Sequence, residues 1–149
     1  MLGAAFVLFS PAFHAGRPIP PRYTCDGLGS SPPLAWTAPP ARTRSFALRV
    51  YDGDARGFTH WLAWGFSPTA RGLAAGAHAP RAGTNDFGQR GWGPPCPPPG
   101  SAHHYAFVLY ALAKPLALEP GAGTAAFFAR LRSTSLRART ILIGTYRRR

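Results

Sequence analysis

Proline and glycine punctuate this chain so densely that long helices are excluded from most of it. Seventeen of each are spread over 149 residues. Each proline removes an amide donor and restricts the residue before it, and glycine weakens helix and strand interiors alike. The segments "RPIPPRYTCDGLGSSPPLAW" and "GTNDFGQRGWGPPCPPPG" are therefore extended or looped. What remains are short apolar runs between turn signals. With 46% apolar and 15% charged residues, these runs predict a packed fold of many short elements, not a disordered tail or a helical rod.

The runs carry a strand period. "SFALRVYD" alternates, with Phe46, Leu48 and Val50 on one face and Ala47, Arg49 and Tyr51 on the other. "HWLAWGF" reads likewise, with His60, Leu62, Trp64 and Phe66 sharing a side, and "AAFVLFSPAF" and "TILIGTY" read as the first and last strands. "YAFVLYAL" is apolar on both faces, as a central strand covered by two layers would be. One segment changes period: after Thr124, a candidate N-cap, Phe127, Phe128 and Leu131 fall at helical spacing. The expectation is one domain over residues 1–149, mainly β: a Greek-key β-sandwich with one or two peripheral short helices, the late one packed on an edge. Arg147, Arg148 and Arg149 are expected to form a short disordered tail.

The net charge of +12 comes from 17 basic residues against five acids, a balance that invites a nucleic-acid reading. The arginines are scattered, however, and Lys114 is the only lysine, so a solvated basic surface with a codon bias toward arginine is the stronger reading. Cys25 and Cys96 leave three options open: a bridge, buried thiols, or thiols near a site. A bridge would staple the proline-rich segment to the later loop. The start "MLGAAFVLFSPAFHAG" lacks a basic n-region and is interrupted at Ser10 and Pro11, which disfavours a secretory leader. Nothing approaches the roughly 18 apolar residues of a membrane span. The expected location is cytoplasmic.

Chemistry must come from few residues. The carboxylates are Asp26, Asp52, Asp54, Asp86 and Glu119, and two of them stand in "YDGDARGFTHW", where one strand ends and the next begins. A solvated turn is the plain reading of that stretch. A short connection also brings Asp52 or Asp54 close to His60. His103 and Tyr105 share one face of the later strand and His104 takes the other. If His60 enters that face, two imidazoles, a phenol and a carboxylate converge on a set that suits an anion. The set is also a conceivable metal-ligand group, but no metal and no cofactor is expected. A G-x-S-x-G elbow and a second acid placed for glycoside chemistry are both missing.

Taken in order, "IPPRYTCDGLGSSPPLAW", "YDGDARGFTHW", "GTNDFGQRGWGPPCPPPG", "HHYAFVLYAL" and "LIGTY" resemble the phosphatidylethanolamine-binding protein family, also called Raf kinase inhibitor-like proteins, in its bacterial and archaeal branch. The likeness runs from about Phe6 to Tyr146 and makes the apolar start the fold's first strand. It implies a pocket for phosphate-like anions lined by Asp52, His60, His103 and Tyr105, with Asp54 retained beside them and the loop at Gly93, Pro94 and Pro95 as part of its wall. Trp92 is the best tryptophan candidate for that wall; Trp61 and Trp64 are expected in the packing. The family's aspartate-proline-aspartate-alanine-proline signature falls on Asp52, Gly53, Asp54, Ala55 and Arg56, so both prolines are lost. That loss should free the loop, while Arg56 at the rim should attract phosphate. His104 replaces a usual arginine and should matter structurally.

The resulting expectation is a non-enzymatic binder of a small anion, phosphate or a phospholipid head group, with a kinase- or protease-regulating role implied by the resemblance. The competing classes are a hydrolase with a pocket histidine as general base and a basic nucleic-acid binder. Expected partners are the anionic ligand, an unidentified protein and a second copy of the chain; neither membrane insertion nor nucleic acid is expected.

Overall fold

The alternating segment Ser45–Asp52 forms β3, the middle of a five-stranded antiparallel sheet. The computed structural model describes residues 4–149. In that sheet β3 lies between β4 (Phe58–Phe66) and β7 (His103–Leu112), with β6 (Arg81–Ala82) outside β4 and β8 (Leu136–Tyr146) outside β7. From β4 the chain crosses to the second sheet, returns as β6 beside β4, and then passes to β7 on the other side of β3, the excursion expected of a Greek-key arrangement. The second sheet is small and antiparallel: β1 (Leu8–Phe9), β2 (Leu34–Trp36) and β5 (Gly72–Leu73). Among its described residues, the apolar start contributes Leu8 and Phe9 to a strand. No described helix is long and apolar enough to cross a membrane.

Alternation in β3 sorts its side chains into two cores. Phe46, Leu48 and Val50 are buried between the sheets with Trp36, Phe107 and Leu109. Ala47 faces the other way, into a layer closed by Leu62, Trp64, Tyr110 and the helix α1 (Thr124–Ser133). β7 is buried on both faces, as its unbroken apolar run requires. The helix covers the outer face of the large sheet, through Phe127 against Trp64 and Tyr110, instead of lying on an edge. Its N-cap is Gly123, because the Thr124 hydroxyl donates to Thr59 Oγ1 at 2.9 Å.

β4 departs from strict alternation twice. Against β3 the register shifts at His60, between the pairs Val50–Trp61 and Tyr51–Thr59. It shifts again at Gly65, whose φ of +81° suits glycine. His60 and Phe66 therefore do not share a side with Leu62 and Trp64: Phe66 joins the core between the sheets, and Leu62 and Trp64 join the helix layer. The chain end is tied back as well, since Arg148 Nη2 lies 3.3 Å from Asp26 Oδ1 and the Tyr146 hydroxyl donates to Asp26.

Candidate functional site

Three strand ends meet at one end of the large sheet. Asp52 closes β3 and pairs in register with Tyr105 of β7 and with Phe58 of β4. Because cross-strand partners put their side chains on the same face, Asp52 and Tyr105 rise together. His103, two residues before Tyr105, rises with them, and the bulge turns His60 toward the same point. All four line a cavity of about 170 Å³. His104 points the other way, as the strand period predicts.

The polar groups are specifically arranged. Asp52 is buried; its Oδ2 accepts the His103 Nδ1 hydrogen at 2.6 Å, and its Oδ1 accepts the Asp54 amide at 2.8 Å. His103 therefore partners Asp52 and not His60. The His60 Nδ1–H donates to the Gly93 carbonyl at 2.7 Å, which leaves Nε2 as the free nitrogen. Phe58, Phe87 and Tyr105 surround the His60 ring edge-on, with centroids 5.2 to 5.3 Å away. Burial there pushes the His60 pKa below its ordinary value despite the Gly93 carbonyl, so the ring is neutral at pH 7. Burial, reinforced by the Asp52 charge, pushes the Tyr105 pKa up, so its hydroxyl remains a donor. The Asp52 carboxylate lies beside that hydroxyl, but no hydrogen bond of good geometry joins them, and the hydroxyl is the one buried side-chain polar atom without such a bond among the described residues.

Other residues of the expected site sit elsewhere. Asp54 is exposed and turned outward, accepting from the His104 amide at 2.7 Å and from His104 Nδ1 at 2.8 Å, contacts that lower its pKa. Gly93 acts from behind the wall through its carbonyl, and its lack of a side chain makes room for the Phe87 ring. Pro95 is buried and accepts the Cys25 amide at 3.0 Å. The lip is built instead from Cys96, Pro97 and Pro98. Trp92 is not a wall of this pocket: it stacks on Phe107 and its indole donates to Gly29. Arg56 is exposed with a φ of 55° and lies outside the lining. Nor is the acidic loop freed by its lost prolines. The Gly53 amide donates to the His104 carbonyl at 2.8 Å, a bond proline cannot make, and His104 holds Asp54. Gly53 through its amide and His104 through its ring thus both hold the acidic loop against β7.

Phe58, Phe87, Pro97 and Pro98 line the pocket although neither spacing nor resemblance singled them out. Phe87 alone carried a signal: it is the one aromatic in the polar stretch "GTNDFGQR", and it remains 47% exposed. Cys25 and Cys96 form a disulfide across 71 residues, with Cα atoms 5.3 Å apart. This closes the option left open by the sequence and anchors the lip to the proline-rich segment. Among the described residues there is no group of three or more His, Cys, Asp and Glu side chains that could hold a metal ion.

The comparisons with known proteins agree with this architecture. The profile of the family described as phosphatidylethanolamine-binding protein matches residues 9–147. A Mycobacterium tuberculosis chain named as a lipoprotein, LppC, is 41% identical over 92% of this chain and 70% of its own length. The crystal structure of a homologue from Chlamydia trachomatis superposes with a TM-score of 0.90 at 35% identity, covering 97% of this chain and 99% of that one. That of Escherichia coli YbcL gives 0.89 at 29% identity, covering 98% and 100%.

Proposed function

This chain belongs to the phosphatidylethanolamine-binding protein family, and we propose that its small pocket binds a protonated oxyanion of the phosphate monoester type without turning it over. The observation that carries the reading is the convergence of Asp52, His60, His103 and Tyr105 on one small pocket, with the Tyr105 hydroxyl a buried donor that makes no hydrogen bond of good geometry to the Asp52 carboxylate beside it. Such a group calls for an acceptor from outside the protein. Beside it, neutral His60 presents Nε2 as an acceptor for a ligand hydroxyl. His103, whose Nδ1–H is held by Asp52, lines the pocket beside them. The volume of about 170 Å³ falls below the roughly 300 Å³ at which drug-sized pockets begin, which favours a head group over a whole lipid.

The same reading makes the chain a binding protein and not an enzyme. Among the described residues, no serine, threonine or cysteine thiol lines the pocket as a nucleophile, since Cys96 is bridged. Regulation of a kinase or protease is proposed as a consequence of pocket occupancy. The Cys25–Cys96 bridge supports an oxidising compartment over the cytoplasm. The test is a titration with phosphate and with phosphoethanolamine, read from the ring signals of His60 and His103. Saturable shifts with no phosphoester turnover are expected. Unmoved signals at millimolar ligand, or turnover abolished by His60→Ala, would contradict the reading.

A further inference from the structure

We infer that a second, larger cavity of about 640 Å³ is a binding site for an organic anion that carries an aromatic ring. It lies across the Arg90–Gly93 segment from the small pocket. Arg90, Gly91 and Trp92 line the large cavity, while the next residue, Gly93, holds His60 of the small one. Its size falls within the range of about 300–1,000 Å³ typical of small-molecule sites.

The floor contains an unused donor. The indoles of Trp36, Trp64 and Trp92 donate to the carbonyls of Ala70, Leu118 and Gly29 at 2.8, 3.2 and 3.1 Å. Trp61, only 2% exposed, has no indole acceptor among the described residues. Trp61 lines this cavity, and its indole is the one tryptophan donor there without an acceptor among the described residues. Buried tryptophan N–H groups find partners; here the partner has to arrive with a ligand.

The walls supply the charge. Arg81, Arg90 and His78 line the cavity and no aspartate or glutamate does. Among the described residues neither guanidinium pairs with a carboxylate, the three ion pairs all lying elsewhere. Arg90 rests its guanidinium near Gly121, and Arg81 lays its stem over Gly65. Two arginine forks suit an oxyanion. Trp61 and Trp92, which meet edge-on at 5.5 Å, supply aromatic surface for a ring.

The experiment titrates phenyl phosphate, inorganic phosphate and phenol separately into protein with labelled tryptophan indoles. The His60 and His103 signals report the small pocket independently, so failure at one site is distinguishable from failure at the other. Phenyl phosphate is expected to move the Trp61 indole signal saturably. Arg81→Ala/Arg90→Ala should weaken that binding at least about tenfold, as loss of charge-assisted hydrogen bonds implies, with the unfolding midpoint unchanged. A Trp61 signal that stays fixed at millimolar phenyl phosphate overturns the site, as does an equal shift in the double variant. Phenol binding as tightly refutes the anionic part, and inorganic phosphate binding as tightly refutes the aromatic part.

Discussion

Replacing Tyr105 with phenylalanine should separate stability from binding in a way few pocket substitutions do. The ring is fully buried and packs against His60 with centroids 5.2 Å apart, and both features survive the change. Only the hydroxyl is lost, and among the described residues it makes no hydrogen bond of good geometry, Asp52 lying beside it. A buried donor left unmade costs about 1–3 kcal/mol. Tyr105→Phe should therefore leave the free energy of unfolding unchanged or raise it by about 1 kcal/mol. The ligand loses a hydrogen bond to a charged oxygen, worth about 1.5–3 kcal/mol, so the Kd for phosphate should rise about ten- to a hundredfold. Urea unfolding without ligand and calorimetric titration with phosphate give the two numbers. Destabilisation by more than about 1 kcal/mol would mean that the hydroxyl has an interior partner after all. An unchanged Kd would mean that it does not meet the ligand.

Three further outcomes follow from the geometry. Converting Cys25 and Cys96 to alanine together should cost about 2–4 kcal/mol in urea unfolding, because the bridge closes a 71-residue span; phosphate affinity should also fall, since Cys96, Pro97 and Pro98 form the lip. Gly93→Ala places a Cβ against the Phe87 ring, 2.7 Å from Cε2, and should cost about 1–3 kcal/mol while shifting the His60 ring signals; unperturbed signals would separate Phe87 from the His60 environment. Burial depresses the His60 pKa, so below its ordinary 6.5 the unfolded chain takes up a proton that the folded chain resists. Stability should fall as pH drops through that value, a fall that His60→Gln abolishes, well above the range where the lowered carboxyls of Asp26 and Asp54 act.

The fold was legible wherever one strand period governed a segment without interruption. Phe46, Leu48 and Val50 share the inner core as their alternation requires, and β7 is covered on both faces as its composition requires. β4 was misread because its two bulges change the period without changing the composition: nothing in "THWLAWGF" marks His60 as an extra residue, and Gly65 is the only trace of the second break. Asp52, His103 and Tyr105 were recoverable because strand ends and the i, i+2 rule bring them together, whereas His60 joins them through a bulge and was implied by the family resemblance alone. The lip was not. Pro97, Pro98 and the apolar wall residue Phe87 are placed by a disulfide spanning 71 residues and by a glycine that admits a ring, contacts that no local period encodes. Trp92 was assigned to the wrong cavity because a loop position does not reveal which side of the loop its side chain takes. The Thr124 hydroxyl was read as a cap, but tertiary contact with Thr59 outcompetes that local role.

The most direct measurement is a crystal structure of the protein grown at slightly acid pH with phosphate. A phosphate is expected in the small pocket, one oxygen within hydrogen-bond distance of the Tyr105 hydroxyl and another beside His60 Nε2, with the His103–Asp52 pair intact behind it. A pocket without the anion, or an anion held with Tyr105 still unpartnered, would contradict that expectation.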